Sequence, residues 1–400
     1  MLYDSSMTRW RCAGALAMAR AVARAVAFAM ACALSMLGGA ALAAPRGCLS
    51  DCTPRIGIVS AFGQEADILI AQTLGKRVFV VNGNRFTTGT LRGNKVVIAL
   101  SGVSMINSTL ATQMMIDHFK VERLIMSGIA GGLNPANHVG DVTIPQRWAM
   151  PMEVYWNHDN TLPAACGSAG DVSCLGLKLA SVNGKAVAPF ALPGAGGAAS
   201  ASGAAAASGA AGATSTSAPT GLFMRENFVM TTANAPKGEF RFDYEVDPEM
   251  FAVAGQITPV LARCGPKAVA TQGAAPDPKL CVATQPKLVL GGRGVSATVF
   301  LANPHYRAYL FEQLQAQTFE METAALAHVA YANGIPYIAF RSLSDLAGAE
   351  EFNADVGALF ASGLAETNEA AVTLAFLDGW AKHQRARTPT RIKPGSEAAR

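Results

Sequence analysis

The sequence predicts an α/β protein with a central mixed, mostly parallel sheet flanked by helices. Two observations carry that prediction. Short apolar runs suited to strands buried on both faces alternate with helical stretches along much of the chain. Chemistry-bearing residues also gather where those strands end and the next helices begin, the end of an open α/β sheet at which ligands sit.

In chain order, residues 55–61, RIGIVSA, are the first compact apolar strand. Phe62-Gly63-Gln64-Glu65 turns out of it, and a helix is expected over 65–74, with Glu65 at a strand's carboxyl end and a helix's start. Strands are expected at 78–81 and 86–91 around the turn signal Asn82-Gly83-Asn84. Residues 95–100 form another buried strand, running through Ser101-Gly102 into a helix that reaches 119. The amides at that helix start are candidates for holding an anion or a polarised water. A strand at 123–127 ends in Gly128-Ile129-Ala130-Gly131-Gly132, which is not a dinucleotide fingerprint. Glycine there lets backbone approach a ligand or a neighbouring strand. VGDVTIP, 139–145, reads as a further strand.

From 157 to 287 the periodicity degrades. Residues 194–220 are Ala, Gly and Ser-rich without an aromatic or a charge, the composition of a surface insertion that cannot bury a core. The strand pattern returns at 288–302 and a helix at 306–315. Then comes the unit that organises the chain, FEMETAALAHVAYANGIPYIAFRSLSDLAG. Glu320 and Glu322 precede an Ala-rich helix that should stop near Asn333-Gly334. A buried strand at 335–340 follows, with Arg341, Ser344 and Asp345 just beyond it. Taken singly, each polar residue has a plain structural reading, the Glu as a solvated first-turn residue and the Asp as a helix cap. Their convergence at one end of one helix–strand unit points to a site. Residues 357–383 read as a helix pair or one broken helix.

Composition narrows the function. The 400 residues are 50% hydrophobic and 15% charged, with a net charge of +4. Residues 1–43 carry four arginines against one aspartate, so the remainder is close to neutral and offers no basic nucleic-acid surface. Those 43 residues have the pattern of an export signal, with arginines first, an apolar run over 25–37, and a cleavage pattern at Ala41-Leu42-Ala43. Periplasmic or secreted localisation is expected, with no membrane segment after cleavage. Six cysteines follow the leader, neighbours in sequence as Cys48 and Cys52, Cys166 and Cys174, and Cys264 and Cys281. An even count suits an oxidising compartment and no free thiols, although sequence does not choose among the possible connectivities. No C-x-x-C or His/Cys cluster suggests a metal site.

Four motifs together resemble the purine nucleoside phosphorylase and uridine phosphorylase superfamily, and within it the methylthioadenosine/S-adenosylhomocysteine nucleosidases. They are IGIVSAFGQE, SGVSMINSTLATQ, the pair SGIAGGLNP and VGDVTIPQ, and FEMETAAL with FRSLSDLAG. The resemblance spans roughly 55–152 and 288–377. It implies a nucleoside-phosphorylase-type three-layer fold over 44–400, interrupted by the 194–220 insertion. It also implies a small nucleoside ligand, no metal or organic cofactor, and a homo-oligomer, dimer or trimer.

By the same resemblance Glu65 takes the place of a catalytic Glu, and Ser101 and Gly102 lie near the attacking water or phosphate. Met321 and Glu322 hold the ribose hydroxyls, and Phe300 and Leu301 stack on and edge-bind the base. The chemistry explains the residue types. A purine leaves readily only when its N7 is protonated, work for a carboxyl kept protonated by its surroundings, here Asp345. Glu65 would deprotonate the water, and Arg341 and Ser344 would orient Asp345 or the nucleophile. Phosphorylases of the superfamily carry a phosphate-binding turn after the first strand. This chain has Phe62-Gly63-Gln64-Glu65, whose carboxylate repels phosphate and suits water. The expectation is therefore an exported purine nucleoside N-ribosyl hydrolase, with a 5'-modified adenosine as a candidate substrate. The alternatives are a phosphorylase, or a non-catalytic binding or storage protein on the same fold.

Overall fold

Strand β1 (Arg55–Ser60) is buried along its whole length because both of its neighbours run parallel to it and helices cover both faces. The structure, a computed structural model, describes residues 47–191, 221–269, 275–349 and 354–387. The proposed leader at 1–43 and the insertion at 194–220 lie outside the described residues. After β1 come α1 (Gly63–Gln72), β2 (Leu74–Val81), β3 (Asn84–Leu91), β4 (Asn94–Leu100), α2 (Met105–His118) and β5 (Val121–Gly132). Asn82 and Gly83 both have positive φ, 47° and 80°, which matches the twist of the β2–β3 hairpin.

Short strands β6 (Val142–Ile144) and β7 (Arg147–Ala149) follow. The region in which sequence periodicity degrades is largely ordered. It contains β8 (Val154–Asn157), β9 (Gly221–Met224), the hairpin β10 (Asn227–Thr231) and β11 (Ala235–Arg241), β12 (Asp243–Glu245) and α3 (Pro248–Ala254). These elements are too short to show a clear period, and tertiary pairing defines them. β9 pairs with β8, and β12 extends the main sheet beside β7.

The chain then adds β13 (Leu288–Leu290), β14 (Arg293–Ser296), α4 (Pro304–Leu314), β15 (Ala316–Glu320), α5 (Thr323–Asn333) and β16 (Tyr337–Asp345). It ends in α6 (Ala354–Ala361) and α7 (Leu364–Arg387), a broken pair with Gly363 at φ 82° between them.

The main sheet runs β12-β7-β14-β15-β5-β1-β4-β3-β2, with β16 beside β5 and β6, and β13 beside β6. Pairs at its centre are parallel, and antiparallel pairing enters at β2–β3–β4, β15–β5, β6–β16 and β12–β7. Ala66 and Leu69 of α1, Met250 of α3 and Phe376 and Trp380 of α7 pack one face. Met114 and Met115 of α2 and Leu326 and Ala330 of α5 pack the other. This is the expected three-layer arrangement.

Several boundaries differ from the sequence reading, among them β2, which starts at Leu74, and β6, which covers only Val142–Ile144; two of the differences shape the site. β5 does not stop at residue 127 but continues through the glycine run, and β16 continues past 340 to include Arg341, Ser344 and Asp345. The two extensions have one cause, because they pair with each other from Phe340↔Ser127 to Asp345↔Gly131. α5 ends as expected, with Gly334 in the left-handed conformation at φ 66°.

Candidate active site

Arg341 organises one end of the site. Its side chain is fully buried. Nη2 donates to Glu320 and, at 3.4 Å, to Glu322 Oε2; Nη1 lies 3.7 Å from Glu65 Oε1. Nε donates to Thr323 Oγ1 at 3.1 Å and Nη1 to the Ile129 carbonyl at 3.2 Å. Arginine suits this position because its planar fork serves several acceptors and stays charged when buried. A β-carbon on Gly128 would lie 2.3 Å from Arg341 Nη1 and 2.4 Å from Glu65 Oε1. Glycine is therefore required at 128 to let the charged groups lie against β5.

Glu65 stands in the first turn of α1 and is held by three backbone amides. Oε2 accepts from Ala61 at 2.6 Å and Phe62 at 3.2 Å, and Oε1 accepts from Ile129 at 2.8 Å. Burial pushes its carboxyl above the ordinary range, against the opposing pull of Arg341 and the amides. Glu322 sits between strand and helix, where its Oε1 accepts from the Ser104 amide at the start of α2, at 2.7 Å. Burial and the neighbouring Glu320 push Glu322 up to about 7. Glu320 accepts from the amides of Glu322 and Thr323 and from the hydroxyls of Ser296 and Thr323. It is the counter-ion that locks Arg341 in place.

Asp345 defines the other end. The β16–β5 register shifts between Leu343 and Asp345, a bulge that re-aims the side chain. Oδ1 accepts from the Ala347 amide at 2.7 Å, and the Ser344 hydroxyl donates to Oδ2 at 2.9 Å. Desolvation pushes this carboxyl above the usual aspartate range despite those two donors. Gly131 stands to Asp345 as Gly128 stands to Arg341. Three residue steps of extended strand, roughly 10 Å, separate the two glycines.

Between the two ends lies a cavity of about 320 Å³. Its wall is mainly apolar, with Val103, Ile129, Val299, Phe300, Leu301 and Phe319, and it also includes Met321. Glu65, Glu320, Glu322, Ser344 and Asp345 are its polar groups, and no cationic side chain lines it among the described residues. An apolar cleft with a few convergent polar groups is the usual form of a small-ligand site.

The structure thus brings Glu65, Met321, Glu322, Phe300, Leu301, Ser344 and Asp345 to one cavity, with Arg341 behind its wall. Ser101 and Gly102 are placed differently from the sequence reading. Their amides donate to the Ser60 and Ala61 carbonyls at 2.8 and 2.9 Å, and Val103 takes the place at the cavity wall. The start of α2 receives the Glu322 carboxylate through Ser104 instead of an anion or water. Arg341 bonds at the Glu65–Glu322 end, so orienting Asp345 falls to Ser344 and the Ala347 amide. Sequence reasoning assigned no role to Ser296 or Ser104, and none to Glu320 beyond its position. Only the odd backbone of Ser104, at φ 97°, marks it, and that is not a sequence signal. The three local cysteine pairs are joined as disulfides, Cys48–Cys52, Cys166–Cys174 and Cys264–Cys281.

Comparison with known proteins agrees with this architecture. A family model described as the phosphorylase superfamily matches residues 55–174 and 202–378, and the chain belongs to that superfamily. An uncharacterised protein of Mycobacterium tuberculosis is 33% identical over 129 residues, covering 30% of this chain and 52% of that one. A 5'-methylthioadenosine/S-adenosylhomocysteine nucleosidase of Listeria monocytogenes is 37% identical over 94 residues, covering 24% of this chain and 40% of that one. The chain therefore spans about half or less of the length of these relatives. The nucleosidase of Colwellia psychrerythraea with adenine bound shares the fold at a TM-score of 0.50 and 18% identity, over 81% of this chain and 95% of that one.

Proposed function

We propose that this chain is a purine nucleoside N-ribosyl hydrolase whose substrates include 5'-modified adenosines. One observation carries the reading. Two carboxyls raised by burial face one apolar cavity, Asp345 bonded by one hydroxyl and one amide, and Glu65 held by three amides beside Arg341, which oppose that rise and favour its ionised form. Asp345 would protonate N7 of the leaving purine, Glu65 would take the proton of the attacking water, and Glu322 would grip the ribose hydroxyls and stabilise the oxocarbenium charge. Phe300 and Leu301 would hold the base.

The cavity's charge favours water over phosphate. Among the described residues its ionisable lining groups are all carboxyls, the Arg341 donors are committed to neighbours, and the Ser101 and Gly102 amides are spent on carbonyls. A phosphate dianion would enter without a counter-charge. The nucleosidase relatives support the same class of reaction.

Purified protein should be given adenosine, inosine and 5'-methylthioadenosine, with and without phosphate. Free base and free sugar in every condition is the expected result. Sugar 1-phosphate formed only with phosphate present would make the chain a phosphorylase, and retained binding without turnover would make it a binding protein.

Export to an oxidising compartment belongs to the same reading, supported by the leader pattern and the three disulfides. N-terminal sequencing of exported protein should begin near Ala44. A homo-oligomer is supported by exposed Ile106 and Leu110 on α2, next to the cavity residue Val103, and sedimentation of the purified chain tests it.

A further inference from the structure

Ser104, just before α2, holds a backbone conformation that residues with a side chain avoid. Among the described residues, every other non-glycine residue with positive φ lies between 47° and 52°, in the ordinary left-handed region. Ser104 has φ 97° and ψ 152°, in a region held almost only by glycine. A residue with a side chain keeps such a conformation only where surrounding contacts impose it. Here the conformation turns the Ser104 amide onto Glu322 Oε1 at 2.7 Å. The first turn of α2 holds Glu322 a second time, through the Ser108 hydroxyl, which donates to the Glu322 carbonyl at 3.0 Å. On the other side the Ser104 and Thr298 hydroxyls lie 3.4 Å apart, with Thr298 next to the cavity-wall residue Val299.

The amide matters because of what else faces Glu322. Burial, and then Glu320 from the end of β15, disfavour its charge, and Glu65 from α1 adds to them. Arg341 of β16 favours the charge but reaches Glu322 only at 3.4 Å, because the same Nη2 also bonds Glu320. The Ser104 amide is the other favourable contact. Together they leave Glu322 at about 7, so at neutral pH one donor decides how much of it is ionised. Ionisation matters at the sugar. A carboxylate accepts from the 2'- and 3'-hydroxyls at once in charge-assisted bonds, whereas the acid form gives one oxygen to its own proton.

We propose that Ser104 is a positioning residue for the sugar: its amide fixes the Glu322 carboxylate as the acceptor of the 2'- and 3'-hydroxyls, so that the site selects nucleosides carrying both. This deepens the nucleosidase reading and rests on it for the place of the ribose against Glu322. The donor is a main-chain group, so the role belongs to the backbone conformation and not to the serine hydroxyl. Glycine adopts that conformation without strain and keeps the amide. A β-branched residue is the least able to adopt it and withdraws the amide as its backbone relaxes. Proline has no N–H to give and a φ fixed near −65°.

The test uses the full-length chain as parent, Ser104→Gly, Ser104→Val and Ser104→Pro, with adenosine and 2',3'-dideoxyadenosine as substrates. For both, kcat/KM, which reports the free enzyme, is measured from about pH 5 to pH 9. Glu65 and Asp345 act on both substrates and cancel in the ratio of adenosine to dideoxyadenosine, which therefore isolates Glu322. In the parent the ratio should rise through about 7 as Glu322 ionises. Losing a hydrogen bond to the charged form should move that rise up by about one pH unit in Ser104→Val and Ser104→Pro, and lower the ratio at neutral pH about fivefold. Ser104→Gly should keep the parent's rise and melt at a higher temperature, because the strain is relieved. A merely structural role would slow both substrates together and leave the ratio in place. That result in either the Val or the Pro variant overturns the proposal, as does a Ser104→Gly that shifts like them. A parent ratio that stays flat with pH overturns it without any variant, and leaves the hydrolase reading standing if adenosine is cleaved. If the parent cleaves neither nucleoside, the hydrolase reading fails and the ratio is read from equilibrium binding of the two nucleosides instead. A binding ratio that titrates and shifts as stated leaves the role of Ser104 standing, and a flat one overturns both.

Discussion

The Asp345 carboxyl occupies the space that a side chain on Gly131 would need. A β-carbon at 131 would lie 2.9 Å from Asp345 Oδ1 and 3.0 Å from the Ala347 β-carbon. The glycine is thus part of how the acid is presented. Gly131→Ala should displace the carboxyl at a cost of about 1–3 kcal/mol in strain. Turnover of natural purine nucleosides should fall by roughly 10–100-fold. A nitrophenyl riboside, whose leaving group needs no proton, should be affected much less. Gly128→Ala meets Arg341 and Glu65 and should impair both substrates. Steady-state rates on the two substrates decide it, and equal losses for Gly131→Ala on both would refute the division of labour.

Asp345→Asn keeps the size of the side chain and its capacity to accept from Ala347, and removes the transferable proton. Turnover of purine nucleosides should fall by roughly 10²–10⁴-fold, with binding weakened far less. In the parent, the rate should decline as pH rises through the raised folded-state pKa of Asp345, because the acid form is the active one. Asp345→Asn should lose that alkaline limb. Glu65→Gln should lose turnover on the nitrophenyl riboside as well, since water activation fails with either leaving group. A pH–rate profile of Asp345→Asn that keeps the parent's alkaline limb would reassign the acid.

Arg341 stands among Glu65, Glu320 and Glu322, so Arg341→Met leaves carboxylates buried without their cation. Breaking such a buried pair costs about 3–5 kcal/mol. The loss should be largest at neutral pH and smaller near pH 5, where Glu65 and Glu322, already raised by burial and pushed further up without Arg341, regain protons. Thermal melts of parent and variant across that range check it. A pH-independent difference would show that Arg341 acts mainly through packing.

Glu369 lies on α7, fully buried, where the Ser127 and Thr373 hydroxyls donate to its Oε1. Burial, and then the charge of Glu65, push its carboxyl well above the ordinary 4.5. The folded state therefore keeps a proton that the unfolded chain has lost. The stability this contributes is complete below the unfolded pKa and is lost as pH rises toward the folded one. Glu369→Gln cannot ionise, so its unfolding free energy should fall less between about pH 5 and pH 8 than the parent's, by up to about 1.4 kcal/mol per pH unit. Part of the decline should remain, because Asp345, Glu65 and Glu322 are shifted the same way. Parallel pH curves for parent and variant would count against a proton held at 369.

Local pattern was enough to reveal the alternation of buried strands and helices, the stop of α5 at Gly334 and the carboxylates around 320–345, because these depend on residue type at short range. The superfamily motifs added Glu65 and the cavity-wall pair Phe300 and Leu301, which no local rule connects to Asp345. Tertiary structure decided the rest. In sequence Gly128 and Gly131 read as lying just past the end of a strand at 123–127. They are strand residues because β16 pairs with them and the Arg341, Glu65 and Asp345 side chains fill the space of their missing β-carbons. The amides of Ser101 and Gly102 looked available for a ligand until β1 supplied their acceptors. Glu322 acquired its donor from Ser104, 218 residues away. A sequence states which groups can donate, accept or ionise. Which partner each one meets, and whether it is left free for a ligand, depends on contacts between distant segments that only the folded chain brings together.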